Sequence, residues 1–439
     1  MNELFTDYGI RGDIDGNFDA KTSYRIGKAL GHYLDGNVAL MTDGCHTSKV
    51  VKYPIISGLL GTGCTVHEVE PMPSEAFHLY IRDKEDFSGG IIITDKDYDG
   101  RVEFTCIFSN GQEMVEGAMD KIQSYFDEDV KIRPMNEQGI LRKGADPLPH
   151  YISSVLSKVD VRAIKEANIS AVVDCCKSVS ALMLPPILDE VVSEMITLNM
   201  VQSQKPLACE DRLEDVKSLV LAHGYSMGVV ADDKRLFIIT DEGEVISDDI
   251  LFAILAKGTL SKSQGAIVAT AYSSSMVDDV VDNYGGRIAR SKIGPISVID
   301  RMKDTKSMLG GDINGFIFAN HQYCYDMGMA LAMVLDCIIK FGPLHNQYSM
   351  LPDHRKERVD IRCPENIKAS AMEMLHEIHA ITAKDVDNNL YIEFPECTIR
   401  VIYKGQENII SLICEPGKNK KWKSRMDSVE NELRKFIDY

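Results

Sequence analysis

Two rhythms of apolar residues alternate along the chain. Short β-branched runs over residues 38–41, 64–69 and 91–93 end at polar turns and predict strands. Between them, apolar residues recur at three- and four-residue spacing, as at Ile26, Leu30 and Tyr33. That spacing predicts helices over 20–34, 48–60 and 73–82, the first with Asp19 as its N-cap. Strand and helix in alternation imply a mainly parallel sheet with helices on both faces.

The same alternation continues. Strands are predicted at 169–174, 266–271 and 287–289, with helices at 182–194, 212–223 and 276–284. A strand, an acidic turn and a second strand fill 227–249. From about residue 356 the rhythm changes to strands at 358–362, 390–394, 398–403 and 409–414, with helices at 365–378 and 426–437. Short hairpins with flanking helices predict an α+β domain.

One stretch organises the rest, Gly89 to Phe104, GGIIITDKDYDGRVEF. Ile91, Ile92 and Ile93 predict a strand, Gly100 closes a turn, and a second strand starts near Val102. Ligands in such sheets bind at strand carboxyl ends, where this turn falls. The turn holds Thr94, Asp95, Lys96, Asp97, Tyr98 and Asp99, with no serine, cysteine or histidine.

These residues resemble the α-D-phosphohexomutase superfamily, in which the same strand runs into T-A-S-H-N-P, with the serine carrying the transferred phosphoryl group, followed by Y-N-G. Thr94 and Tyr98-Asp99-Gly100 keep that frame, the turn is shorter, and Lys96 or Asp97 falls where Ser and His belong. Three further stretches are similar to the family in order. Phe5 to Gly12 resembles the opening F-x-x-Y-D-I-R-G and supplies Arg11. Ala231-Asp232-Asp233-Lys234-Arg235 stands where the family has D-G-D-x-D-R, whose three aspartates hold Mg²⁺. Leu309 to Phe316 resembles the sugar-reading L-G-G-E-x-S-G-H, with Asp312 and Asn314 as polar replacements.

Two more loops complete the comparison. Arg290 to Gly294 resembles T-K-V-G and offers Lys292. Ile402 to Asn408 lies where the family has the phosphate loop R-P-S-G-T-E-P, with Lys404, Gly405 and Glu407. The resemblance implies an α/β protein of three related mixed α/β domains plus a C-terminal α+β domain around a central cleft. The domains are expected at 1–146, 147–256, 257–355 and 356–439.

Charge and cysteines narrow the class. A net charge of −18 repels polyanions, which argues against nucleic acid or an anionic membrane as partner. The longest apolar window, 328–339, contains Asp336 and is too short to span a bilayer. The start, MNELFTDYG, is acidic and has no apolar core, so a leader is not expected. Eleven cysteines without C-x-x-C spacing suggest reduced core thiols in the cytoplasm.

Asp95, Asp97, Asp99 and Gly100 imitate half an EF-hand loop, yet Cys106 stands at its twelfth position and a solvated acidic turn is favoured. Lys96 and Asp97 read as an acid/base pair or as an exposed ion pair, with the second preferred. The isolated histidines at 32, 46, 67, 223 and 321 read as core or surface residues. Arg11, Arg235, Lys292 and Lys404, with Lys96 as a further candidate, converge on a phosphorylated sugar or nucleotide if the family architecture holds, or pair with surplus carboxylates. Asp232 and Asp233, two carboxylates in place of three, are expected to hold Mg²⁺ poorly.

With serine, metal triad and arginine clamp altered together, the resemblance implies a catalytically impaired phosphohexomutase relative. It would bind a sugar phosphate, or serve as a regulatory or scaffold paralogue with a protein partner or a second copy. The alternative is an active divergent phosphoglucomutase/phosphomannomutase with Asp95 or Asp97 as nucleophile.

Overall fold

The computed structural model describes residues 4–6, 9–95, 100–203, 205–246, 248–312, 314–352, 357–386, 389–404, 409–416 and 421–437. They divide into two units, residues 1–247 with 314–349, and residues 248–313 with 350–439.

In the first unit, β1 (Phe5–Thr6), β2 (Gly9–Asp13), β3 (Asn37–Thr42), β4 (Thr65–Glu68), β5 (Phe87–Asp95), β6 (Arg101–Phe108) and β7 (Leu141–Lys143) form one sheet. Their order is β1-β2-β6-β5-β3-β4-β7. β3 pairs in parallel with β4 and β5, and β4 with β7, while β1/β2, β2/β6 and β5/β6 are antiparallel. The sheet is therefore mixed rather than mainly parallel. A connection as short as 96–100 can only reverse the chain, whereas parallel neighbours need a crossover.

Those crossovers are α1 (Ala20–Leu34), α2 (His46–Gly61) and α3 (Ser74–Asp83), with α4 (Glu116–Asp127) following β6. Asp19 caps α1 by accepting from the Thr22 N–H at 2.7 Å. Glycine decides how α1 and α2 meet. A Cβ on Gly27 would stand 2.3 Å from the Ile55 carbonyl oxygen, and one on Gly58 2.4 Å from that of Tyr24. Ile10, Phe18, Ile26, Leu30, Ile55, Ile91, Ile93 and Phe104 fill the core beside them.

α5 (Leu148–Leu156) and α6 (Val161–Glu166) lead into a second sheet of β8 (Ser170–Asp174), β9 (Glu194–Leu198), β10 (Met227–Ala231), β11 (Leu236–Thr240) and β12 (Val245–Ile246). Its order is β12-β11-β10-β8-β9, with β8 parallel to β9 and β10. The helix expected over 182–194 is only α7 (Leu184–Asp189), and β9 begins at Glu194. Prolines at 185 and 186 suit a first helical turn, while Glu194-Met-Ile-Thr-Leu198 gains more as a ladder partner of β8. α8 (Leu213–His223) covers β8 and β10.

In the second unit, α9 (Asp248–Leu260), α10 (Ser275–Asn283) and α11 (Pro295–Thr305) accompany β13 (Ala266–Thr270), β14 (Arg287–Ser291) and β15 (Leu309–Asp312). β13 is parallel to both β14 and β15. β16 (Gly315–Phe318), α12 (Met327–Phe341) and α13 (Leu344–Ser349) belong to the first unit, where α12 packs on α5, α6 and α7.

β17 (Glu357–Arg362), α14 (Glu365–Ile378), β18 (Ala383–Val386), β19 (Asn389–Phe394), β20 (Cys397–Lys404), β21 (Ile409–Pro416) and α15 (Trp422–Ile437) complete the second unit. The strands form an antiparallel sheet in the order β17-β21-β20-β19-β18, and α14 and α15 pack over its apolar face. Among the described residues, no helix is long and apolar enough to cross a membrane.

Candidate functional site

The parallel pairing of β3 and β5 sets their carboxyl ends side by side, and Asp43 joins them. Its N–H donates to the Ile93 carbonyl at 3.1 Å, and its carboxylate accepts from the Asp95 N–H at 2.7 Å and the Cys45 N–H at 2.9 Å. The Ser48 hydroxyl, in the first turn of α2, also donates to Asp43. Asp95 is buried, and both of its carboxylate oxygens face the Gly100 N–H, at 3.3 and 3.2 Å. The two aspartates thus fix the base of the turn that follows Thr94, which is half-buried. Lys96, Asp97 and the rest of 96–99 lie outside the described residues, as does most of the EF-hand-like stretch.

The β10–β11 turn faces this corner. Burial first, then Asp43, Asp95 and Asp233, push the Cys45 thiol up to about 12, so three carboxylates share one neighbourhood. Asp232 is buried and closes its own turn. It accepts from the N–H groups of Lys234 and Arg235 at 2.8 and 2.7 Å, and from the Arg235 guanidinium at 3.2 and 3.1 Å. Arg235 also pairs with Glu210.

The fit of this turn to Mg²⁺ follows from those bonds. Mg²⁺ needs near-octahedral oxygen ligands, and the Asp232 carboxylate already accepts four donors. Asp233 is exposed, and no group of three potential ligands converges among the described residues. The described donor set does not fit the ion.

Other predicted residues are scattered between the units. Arg11, on β2, donates to Glu103 of the neighbouring β6 at 2.9 and 2.5 Å. In the second unit, Lys292 is exposed, while the Gly294 N–H donates at 3.2 Å to Asp312, which is buried at the end of β15. Asn314 is exposed in the first unit. Lys404 ends β20, and its side chain, Gly405 and Glu407 lie outside the described residues.

One buried polar cluster carried no spacing signal. Asp326 caps α12 by accepting from the Met329 N–H at 2.8 Å, and accepts also from the Tyr151 hydroxyl at 2.5 Å and the Gln322 amide at 2.7 Å. His321 bridges the Asp326 carboxylate at 2.7 Å and the Ser154 hydroxyl at 3.0 Å. Glu75, at the start of α3, accepts from the Met327 N–H at 3.2 Å. Burial, then the charge of Asp326, pushes the Glu75 carboxyl up to about 8. Burial acts against ionised Asp326 too, but its hydrogen bonds and the charge of His321 hold its carboxyl below the usual range. Residues 75, 151, 154, 321 and 326 are too far apart in sequence for any motif; only the N-cap pattern at Asp326 before an apolar run was readable.

An ion pair between buried Arg400 and half-buried Glu415 organises the other unit. The Arg400 guanidinium donates to the carbonyls of Ala271 and Ser273, the latter at 2.8 Å, and pairs with Glu415. Glu415 in turn accepts from the Ser275 N–H at 3.0 Å and its hydroxyl at 2.6 Å. These bonds tie β20 and β21 to the loop between β13 and α10.

Comparison with known proteins agrees with this architecture. Residues 2–133 match the family model for phosphoglucomutase/phosphomannomutase alpha/beta/alpha domain I, and residues 247–353 match that for domain III. The chain is 24% identical to a probable phosphoglucosamine mutase of Methanopyrus kandleri, covering 100% of this chain and 99% of that one. It is 26% identical to a phosphoglucomutase/phosphomannomutase of Thermococcus kodakarensis, covering 96% of each. Among solved structures, a phosphoglucomutase/phosphomannomutase family protein from Burkholderia thailandensis superposes with a TM-score of 0.83 at 16% identity, over 100% of this chain and 97% of that one. The N-acetylphosphoglucosamine mutase of Aspergillus fumigatus, in complex with GlcNAc-6P and magnesium, gives 0.56 at 11% identity over 99% and 96%.

Proposed function

The chain belongs to the α-D-phosphohexomutase superfamily, and from that premise we propose that it holds a phosphorylated hexose without passing its phosphoryl group through a serine. The observation that carries this reading is Asp95. Its amide is bound by Asp43 and its carboxylate faces the Gly100 amide, so the residue after Thr94 closes the turn rather than offering a nucleophile. Arg11 and Arg235 are neutralised by Glu103, and by Asp232 and Glu210, which leaves less positive charge to stabilise a transferring phosphoryl group.

In this reading Lys292, Asp312 and Asn314 contact sugar or phosphate, as do Lys404, Gly405 and Glu407. Relatives named for phosphoglucosamine, together with the GlcNAc-6P complex of a structural neighbour, favour an amino-hexose phosphate as ligand. A protein that binds without turnover would act as a sensor, regulatory subunit or scaffold.

A second reading, an active divergent mutase, is favoured by the near-complete coverage of proteins named as mutases. It requires another nucleophile, with Asp95 or Asp97 forming an aspartyl phosphate. The deciding experiment is ³¹P NMR of hexose and glucosamine 1- and 6-phosphates with the protein, Mg²⁺ and a hexose bisphosphate. Line broadening without interconversion supports the binding reading. Interconversion overturns it in favour of the mutase, and sharp unchanged lines overturn both.

A further inference from the structure

Just beyond β8 the chain takes a conformation that ordinary residues avoid. Cys176 and Lys177 have φ of 50° and 58°, consecutive left-handed positions with no glycine. Such positions cost free energy and persist only where the surroundings enforce them. Here the Cys176 N–H donates to Asp174 at 2.9 Å, the Lys177 N–H to the Asn199 carbonyl at 2.9 Å, and the Leu207 N–H to the Cys176 carbonyl at 2.8 Å. Asp174 is itself held by Asn199 at 2.8 Å and by Arg212 at 2.9 Å. The result directs the Cys176 thiol at Cys209, with the two sulfurs 3.7 Å apart, both fully buried and both free.

We propose that Cys176 and Cys209 form an oxidisable dithiol, a disulfide-forming modification site whose oxidant is a small peroxide. One thiol gives up its proton and its sulfur attacks a peroxide oxygen. The O–O bond breaks, water leaves, and a sulfenic acid remains. The second thiol attacks that sulfur, the S–S bond forms, and the sulfenic oxygen departs with two protons as a second water. Two thiols thereby lose two electrons and two protons, and one peroxide takes them up.

The site has a consequence for the turn at Asp232. Cys209 opens a 3₁₀ turn, Cys209–Arg212, whose Glu210 pairs with Arg235, and the Asp232 charge acts on the Cys209 thiol. A disulfide shortens the sulfur separation from 3.7 Å to about 2.05 Å. That draws the 3₁₀ turn toward β8 and, through Glu210, pulls on Arg235. The hydrogen bond from Cys176, then burial and the Asp232 charge, keep the Cys209 thiol protonated. Oxidation therefore waits on local opening and is slow, which separates this pair from a surface thiol.

The test treats the folded full-length protein with hydrogen peroxide, blocks remaining thiols with iodoacetamide and maps peptides without reduction. The expected product is a cross-linked peptide joining Cys176 to Cys209, about 2 Da lighter than the two reduced peptides together. Cys175→Ser should keep it and Cys209→Ser abolish it. Amide exchange over residues 231–236 should slow in the oxidised protein. Alkylated Cys176 and Cys209 without a cross-link, or a cross-link through Cys175 instead, would overturn the proposal. The wild-type map decides this even if a variant fails to fold.

Discussion

The carboxylate of Asp43 accepts the backbone N–H of Asp95 at 2.7 Å, joining the ends of two parallel strands whose residues lie 52 positions apart. The same carboxylate takes the Cys45 N–H and the Ser48 hydroxyl, so one side chain organises the start of α2 and the base of the 94–100 turn.

Asp43→Ala should therefore destabilise the first unit by about 2 kcal/mol, the scale of hydrogen bonds to a charged acceptor. Asp43→Asn, which keeps one acceptor oxygen, should lose less. Urea denaturation measures both, and an unchanged midpoint for the alanine variant would show that these bonds carry no net stability.

Glu75 makes the first unit sensitive to alkali. Its folded carboxyl titrates at about 8, above the usual value of 4.5, so the folded state binds the extra proton. That contribution is fully present below about pH 4.5 and is lost as pH rises through about 8. Glu75→Gln keeps an acceptor for Met327 and removes the titration. At pH 9 the variant should be more stable than the wild type by on the order of 2 kcal/mol, and the gap should narrow toward pH 5. Parallel stability curves for the two proteins would contradict this.

Buried Arg400 pairs with half-buried Glu415, so removing the carboxylate or the guanidinium leaves a largely desolvated charge without its partner. Arg400→Met should cost about 3–5 kcal/mol, while Arg400→Met with Glu415→Met should cost less than the single change. Amide exchange over 271–275 and 397–416 reports the second unit separately from the first. Additive losses in the double variant would remove the pair as a stabilising feature.

Lys292 is exposed and makes no ion pair among the described residues. Lys292→Ala should leave the thermal midpoint unchanged. Under the sugar-phosphate reading, it should weaken binding of glucosamine 6-phosphate roughly tenfold, about the value of one charged contact. Undiminished affinity would remove Lys292 from the site.

What the chain revealed unaided was local chemistry. Three isoleucines before a polar turn make β5, Asp19 ahead of an apolar period caps α1, and hairpin spacing marks β19, β20 and β21, because propensity, capping and period act within a few residues. Family motifs added an expected order of domains. The sequence could not reveal partners. Arg11 reads the same whether it meets a phosphate or Glu103, and only the register of β2 against β6 places that carboxylate opposite it. The clusters at Asp326, Arg400 and Cys176 join residues up to 252 positions apart, through bonds that gain strength once burial removes water as a competitor. Strand register and helix packing, which depend on the whole core at once, decided which charges are neutralised and which thiols meet.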